Sequence, residues 1–300
     1  MDQTGIDTMD AQKRERIRIS CACRDSEAIP KVSDAGCVRT SGAARPYQVM
    51  HNGIKVYVDS HYGDFNTEVI RGLKGHHEPQ EELVFHEVLK RIAPGSVMVE
   101  LGSFWAYYSM WFHATVPGAT NYMVEPIESC LDAGRANFAL NGMHGRFLRA
   151  CVGRQNMAEV AFKHWDGSLV PVRQIAVDTF LDDERIGRLS VLHADVQGAE
   201  KAMLEGAPNA LGTKRISYIF LSTHTDILHH QCLRILRQHS YGIVAEYAPS
   251  ESYSVDGLIV ASAEKESRLT VRVSKRRSLL GVYRKMKAKL RCLTAWSDEG

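Results

Sequence analysis

Residues 96–126 read SVMVELGSFWAYYSMWFHATVPGATNYMVEP. The opening run, SVMVELG, has the length and apolar character of a strand buried on both faces. A turn at Gly102 leads into the aromatic helical segment AYYSMWFHATV, which Pro117-Gly118 stops, and NYMVEP at 121–126 supplies a second strand. Strand, turn, helix and strand in this order make one half of a doubly wound α/β sheet, in which ligands bind outside the carboxyl ends of the strands.

The alternation continues outward from this unit. IESCLDAGRANFALNG places Ile127, Leu131, Gly134 and Phe138 on one helical face and stops at Gly142, RFLRACVG at 146–153 reads as a third strand, and EVAFKHW at 159–165 reads as a β insertion. LSVLHADV at 189–196, a helix over AEKAMLEGAPNAL, ISYIFLS at 216–222 and an amphipathic stretch with Leu228, Cys232, Ile235 and Leu236 repeat the pattern. GIVAEY and GLIVASA follow without an intervening helix, as an antiparallel hairpin at the sheet edge does. The expected fold is thus α/β and Rossmann-like, a doubly wound, mostly parallel seven-stranded sheet. Upstream, YQVMHNGIKVYV at 47–58 forms a hairpin turned by Asn52-Gly53, and QEELVFHEVLKRIAPG forms a helix that begins at Pro79 and stops at Pro94-Gly95. The chain therefore divides into a weakly ordered, polar leader (1–46), a hairpin and helix (47–95), the α/β domain (96–263) and a basic tail (264–300).

With 300 residues, 44% hydrophobic and 24% charged, the chain can build one sizeable core, which excludes collagen, wholesale disorder and small disulfide scaffolds. No run approaches the roughly 20 apolar residues of a membrane span, and the start lacks the apolar stretch of a signal peptide, so a cytoplasmic location is expected. Seven scattered cysteines read as reduced thiols, and Cys21, Cys23 and Cys37 lack the fourth ligand and the spacing of a zinc site. Residues 264–300 carry a net charge of +7 against +2 for the whole chain, which leaves −5 on the remainder. Within that tail, residues 268–291 hold ten basic residues and no acid, with Leu279, Leu280, Val282 and Tyr283 interleaved. Such a stretch suits peripheral contact with an anionic membrane surface, and a solvated terminal helix is the other reading. No nucleic-acid partner is expected, because the core shows no basic patch with interleaved stacking aromatics.

A dinucleotide-binding loop needs further glycines where the backbone meets the pyrophosphate. Phe104 and Trp105 fill that space here, so the loop fits a nucleoside cofactor without phosphates and argues for S-adenosylmethionine over NAD. Glu125, at the end of the second strand, can accept hydrogen bonds from both ribose hydroxyls, with Cys151 and Val152 flanking the adenine. The fourth strand ends in His193-Ala194-Asp195-Val196-Gln197-Gly198-Ala199-Glu200 and the fifth in Ser222-Thr223-His224-Thr225-Asp226. Thr225 or Asp226 caps the following helix, which leaves His224 for chemistry. The loop Glu251-Ser252-Tyr253-Ser254-Val255-Asp256-Gly257 reaches back over the same rim.

From about Tyr47 to Ala263 the chain resembles the FkbM family of S-adenosylmethionine-dependent methyltransferases. The resemblance lies in EP at 78–79, VELGSFWAYYS at 99–109, VEPIESCLDAGRANFALNG at 124–142, ACVG at 150–153, VPVRQIAVDTFLDD at 170–183, HADVQGAEKAMLEGA at 193–207, and the LSTH and ESYSVDGLIVA segments. It implies the class I methyltransferase fold and methyl transfer to a hydroxyl oxygen of a polyketide-like, sugar or glycolipid acceptor. The cofactor-binding set is then Glu100, Gly102, Ser103, Glu125, Pro126, Cys151, Val152 and Gln197. Two positions depart from the family pattern, Glu100 standing for Asp and Ala106 for Gly.

Methyl transfer to an alcohol needs the acceptor oxygen held in line and its proton removed. The expected catalytic group is His224 as base, Asp195 orienting the hydroxyl or the imidazole, and Glu200, Gln197 and His193 in support. A competing arrangement makes Asp195, Glu200 and His224 ligands of a divalent ion that lowers the hydroxyl pKa. A protein that keeps the fold for binding or scaffolding without catalysis is the alternative function.

Overall fold

The computed structural model describes residues 11–40, 45–164, 167–264 and 269–276. The N-terminal part contains α1 (Ala11–Cys21), β1 (Val38–Arg39), β2 (Tyr47–Val49), β3 (Lys55–Tyr57), α2 (Gly63–Gly72) and α3 (Pro79–Leu89). There follow β4 (Val97–Leu101), α4 (Tyr107–Thr115), β5 (Thr120–Glu125), α5 (Glu128–Leu140), β6 (Arg146–Arg149) and β7 (Cys151–Val152). A hairpin of β8 (Met157–Lys163) and β9 (Leu169–Ile175) leads to α6 (Val177–Asp183), β10 (Leu189–Ala194), α7 (Glu200–Glu205) and α8 (Pro208–Gly212). The last elements are β11 (Ile216–Thr223), α9 (Asp226–Gln238), β12 (Gly242–Tyr247) and β13 (Gly257–Ser262).

Seven strands form one sheet in the order β12-β13-β11-β10-β4-β5-β6, parallel throughout except for β13, which runs antiparallel to both neighbours. This is the class I methyltransferase arrangement expected from the sequence, and the late pair forms the antiparallel edge. The central strands alternate: Met98, Met123, Val191, Phe220 and Val260 face a core with α3 and α4, and Val99, Val124, Leu192, Ile219 and Ile259 face one with α6 to α9. Burial on both faces explains why these strands read as unbroken apolar runs. The switch in winding direction falls between β4 and β10, which places the crevice at their carboxyl ends.

Several expectations are corrected. The stretch 146–153 is not one strand: β6 ends at Arg149, and Cys151 and Val152 leave the main sheet to pair with Gln174 and Ile175. The small sheet β7-β9-β8 needs this edge, and Trp165 of the expected insertion lies outside the described residues. The helix expected over 199–211 breaks at Gly206 and restarts at Pro208. The expected weakly ordered leader carries α1 and β1, and Cys23 and Ile29 within it are buried. Its order comes from long-range partners: the Ser20 hydroxyl donates to Tyr253 O (2.9 Å), and the Val32 and Gly36 N–H groups donate to His51 O (2.8 Å) and Val49 O (2.7 Å). Residues 1–10 and 41–44 of the leader, and 265–268 and 277–300 of the basic tail, lie outside the described residues. The described part of that tail, 269–276, lies along the sheet edge, where Val271 N–H donates to Val244 O (2.9 Å) and Ser274 O accepts from the Gln80 amide (2.6 Å). Among the described residues no helix is long and apolar enough to cross a membrane.

Asn137 on α5 fastens the N-terminal hairpin to the sheet. Fully buried, its amide donates to Ser60 Oγ (3.0 Å) and Trp105 O (3.1 Å), and its oxygen accepts from Tyr57 N–H (3.0 Å). Asn137→Ala is expected to lose about 3 kcal/mol of stability, because three hydrogen bonds vanish and two backbone groups are orphaned away from water. Urea denaturation of the variant against the parent measures it, and a loss below about 1 kcal/mol would contradict this role.

Candidate functional site

The pairing of Ala194 with Leu101 sets Asp195 beside Gly102 at the mouth of the crevice, and Asp195 N–H donates to Leu101 O (2.9 Å). Gly102 has φ +72°, and a Cβ on it would stand 1.8 Å from the Asp195 carbonyl oxygen. Only glycine fits both the backbone conformation and the space. Its N–H and that of Ser103 both donate to Val124 O (2.8 and 3.2 Å), which turns the loop toward β5. Phe104 and Ala106 adopt positive φ, +43° and +61°. At Ala106, where the family pattern has glycine, the conformation suits glycine better and leaves α4 without a capping side chain. Glu100 supplies that cap instead: its Oε2 accepts the Ser109 N–H at 3.0 Å. Burial pushes the Glu100 carboxyl above its ordinary value.

Glu125 is buried at the end of β5 and faces the same loop. Its Oε2 accepts Phe104 N–H and its Oε1 accepts Ile127 N–H, both at 3.1 Å. Each oxygen keeps a further lone pair for a hydroxyl donor. Burial pushes its pKa up to about 7 against the help of these two donors, and the charges of Asp195 and Glu100 add to the rise.

Two cavities adjoin at this point. One of about 670 Å³ is walled by Glu125, Pro126, Cys130, Cys151 and Val152, and the β8–β9 hairpin closes it with Val160 and Phe162. The other, of about 540 Å³, is lined by Glu78, Glu100, Ser103, His193, His224 and Asp256. They share Tyr62, Gly102, Phe104, Asp195 and Gln197. The expected cofactor residues Glu125, Pro126, Cys151 and Val152 gather on the first side, Glu100 and Ser103 on the second, and Gly102 and Gln197 at the junction.

His224 lies at the centre of a charged cluster in the second cavity. Its Nδ1 meets Glu200 Oε1 at 2.6 Å, and its Nε2 lies 3.2 Å from Asp195 Oδ1 and 3.4 Å from Asp256 Oδ1. Thr225 caps α9 by accepting Leu228 N–H (3.1 Å), so His224 is indeed spared that task. Burial opposes charge on the imidazole, but the hydrogen bonds to Asp195 and Glu200 outweigh it and push the pKa up to about 10. These contacts favour the imidazolium over the neutral base expected from the sequence. The group poised near neutrality is Asp256, which burial and the neighbouring Asp195 push up to about 7 against the pull of His224. Glu200 is fully buried, lines neither of these cavities and stands behind His224 at Nδ1. Asp195 is held by the Gln197 amide (2.8 Å).

Tyr62, Phe65 and Glu81 lie at or beside the site without having been expected there, whereas Asp256 stands in the loop expected over this rim. Asp256 reaches His224 because β13 pairs Gly257 with Thr223, a register that no local pattern reveals. His193 supports the wall rather than the His224 pair: its Nε2 meets Glu81 Oε1 (2.8 Å) and its ring stacks on Tyr108 (4.2 Å). Tyr108 in turn donates to Glu78 (3.0 Å), in the EP element at 78–79. Asp195, His224 and Asp256 also bring one ligand atom each within 4.8 Å of one another, which is close enough to share a cation. That set contains Asp256 in place of the expected Glu200.

Gly102→Ala is expected to destabilise the fold by about 3 kcal/mol or more, since its Cβ meets backbone rather than a movable side chain. Urea denaturation tests this, and a variant as stable as the parent would show that the two strand ends do not meet as described.

The fold resembles several solved methyltransferases at low identity. The precorrin-6y C5,15-methyltransferase of Geobacter metallireducens GS-15 is 15% identical, with a TM-score of 0.42 over 61% of this chain and 88% of that one. The TrmK protein of M. capricolum, solved with S-adenosylhomocysteine, is 14% identical with a TM-score of 0.39 over 64% and 71%. The ribosomal protein L11 methylase of Lactobacillus delbrueckii subsp. bulgaricus is 14% identical with a TM-score of 0.40 over 64% and 82%. Among curated proteins, none matches the sequence. The model of the methyltransferase FkbM domain matches residues 93–243, half of the chain, from the approach to β4 through the start of β12. The chain belongs to the FkbM methyltransferase family.

Proposed function

We propose that this chain transfers a methyl group from S-adenosylmethionine to a hydroxyl oxygen of a small-molecule or glycan acceptor. The observation that carries the reading is Glu125: a buried carboxylate, fixed by two backbone donors, with acceptor capacity left beside a cavity whose walls include Pro126, Cys151 and Val152. A ribose with two hydroxyl donors fits that need, and a base fits between Pro126, Cys151 and Val152. The cofactor, when bound, supplies an electrophilic methyl group. The protein holds the acceptor in the second cavity, on the far side of Gly102.

Within that cavity Asp256 accepts the hydroxyl proton, since its pKa of about 7 lets it be ionised and still basic near neutral pH. The His224 imidazolium, fixed at Nδ1 by Glu200, steadies the Asp256 carboxylate until the proton arrives. Asp195 and Gln197 orient the hydroxyl. Asp256→Asn is expected to lower kcat by about a hundredfold or more with binding of S-adenosylhomocysteine unchanged. Transfer of labelled methyl into candidate acceptors gives the rate, and full turnover by the variant would remove Asp256 from the mechanism.

A second reading makes the same cluster a cation site. Three ligand atoms within 4.8 Å and a carboxylate behind the imidazole Nδ1 are the observations in its favour. Dialysis against EDTA separates the two: retained activity fits proton transfer to Asp256, and a loss restored by Mn²⁺ or Mg²⁺ assigns the cluster to a metal.

Glu125 gives a pH dependence with a definite sign. Ribose hydroxyls donate to the ionised carboxylate, so binding favours the unprotonated form, and affinity falls as pH drops below about 7. Affinity for S-adenosylhomocysteine is expected to be about tenfold weaker at pH 6 than at pH 8, with proton release on binding near pH 7. Calorimetry in two buffers of different ionisation enthalpy measures both. An affinity flat across this range would detach Glu125 from the cofactor.

A further inference from the structure

A second group of titratable side chains lies beneath the N-terminal hairpin and lines neither cavity. His51 stands in the turn between β2 and β3, His76 in the connection from α2 to α3, and Glu82 on α3. All three are buried. Backbone packing brings the segments together: His51 N–H donates to Gly75 O (3.0 Å), and Gly75, at φ +88°, lies so close that a Cβ on it would strike the His51 backbone nitrogen. The two imidazole rings stack with 4.2 Å between centres, and the His51 ring meets Trp111 edge to face at 4.4 Å.

Hydrogen bonding fixes what the rings have to offer. His51 Nδ1 faces Pro30 O at 3.2 Å, and a carbonyl oxygen only accepts, so Nδ1 carries the hydrogen. In the neutral ring, which burial favours, Nε2 is then a bare lone pair, enclosed and without a hydrogen-bond partner among the described residues. His76 turns Nδ1 on Glu82 Oε2, and its Nε2 too is buried without such a partner. The other Glu82 oxygen is anchored by the N–H groups of His77 (2.8 Å) and Glu78 (3.0 Å). Lys31, whose charge reaches Glu82 and His51, does not answer these groups: its ammonium donates to the carbonyl oxygens of Ser26, Glu27 and Ile29. Unanswered nitrogens on two enclosed rings cost stability that an apolar pair would not. A shared cation answers them. One nitrogen of each ring and one Glu82 oxygen already lie within 4.8 Å of one another. A tetrahedral zinc ion, with bonds of about 2.0–2.1 Å, sets its ligand atoms roughly 3.3 Å apart, so at most about 1.5 Å has to close.

We propose that His51, His76 and Glu82 bind a divalent cation of the zinc class, His51 through Nε2 and Glu82 through the oxygen that faces His76. Two imidazoles and one carboxylate suit zinc better than magnesium or calcium, which take oxygen ligands. Pro30 O behind His51 and the two backbone donors behind Glu82 orient these ligands from outside, as the outer partners of metal sites do. The ion ties the hairpin, the α2–α3 connection and α3 together, and α3 also presents Glu81 to His193 at the wall of the second cavity. All three ligands precede the segment matched to the family, residues 93–243, and the site is independent of the methyl-transfer reading.

The test uses the full chain with Asp256→Asn throughout, which takes a ligand from the other candidate cation cluster. The protein is produced with zinc in the medium, freed of unbound ion by gel filtration, and its zinc content measured. A second sample is stripped with EDTA and titrated with Zn²⁺ or Co²⁺. One zinc per chain is expected, together with a visible Co²⁺ absorption band and a higher Tm for the loaded protein than for the stripped one. His51→Phe, which keeps a ring against Trp111, and Glu82→Gln are each expected to weaken zinc binding at least roughly a hundredfold, since loss of an outer partner alone costs up to that much. Should these variants fail to fold, the zinc content and the cobalt band of the Asp256→Asn protein decide alone. Zinc bound as tightly by His51→Phe and Glu82→Gln as by the protein that carries both ligands, or no zinc retained by that protein, would overturn the proposal.

Discussion

The carbonyl oxygen of Asp195 fills the volume where any side chain on Gly102 would stand, and the site depends on that approach. It allows the ends of β4 and β10 to close on one another at the switch point of the sheet. The same turn directs Phe104 N–H at Glu125, so one steric constraint fixes the loop against the carboxylate on one side and Asp195 on the other. Glu100 completes the arrangement from below by capping α4, a task the loop cannot perform because Ala106 has no hydrogen-bonding side chain. Ala106 tolerates its left-handed backbone because it is the smallest residue with a Cβ and is wholly enclosed.

The sheet was legible in the sequence because its central strands are buried on both faces and read as continuous apolar runs between turn signals. SVMVELG, NYMVEP, LSVLHADV and ISYIFLS each became a strand within a residue or two of its expected bounds. Order created by tertiary contact was not legible. Helix α1 has no apolar period, α2 lacks a capping side chain at its start, and the division of 146–153 between two sheets follows from the demands of the β8–β9 hairpin.

The candidate site was legible as a cast of residues but not as a set of protonation states. Gly102, Glu125, Asp195, Glu200 and His224 do converge. How Asp195, Glu200 and Asp256 act on His224 depends on two separate segments, the β10–α7 connection and the loop before β13, brought together by sheet register. The second cavity shows the same limit. Lys13, Arg16, Tyr62 and Phe65 line it from segments far upstream of β4, and no local pattern announces them.

The segment 269–276 has a bearing on solubility. A seven-stranded sheet has two open margins, and unpaired backbone there is a template on which another chain can grow. On the β6 margin, Arg146 and Arg149 crowd the rim with charge. On the β12 margin, the returning chain occupies Val244 O and lays Leu269, Val271 and Val273 over apolar neighbours, with Lys275 gripped by Glu246 and Glu251. The protein thus covers part of its own raw border with a ribbon of itself, which another chain would have to displace to pair there.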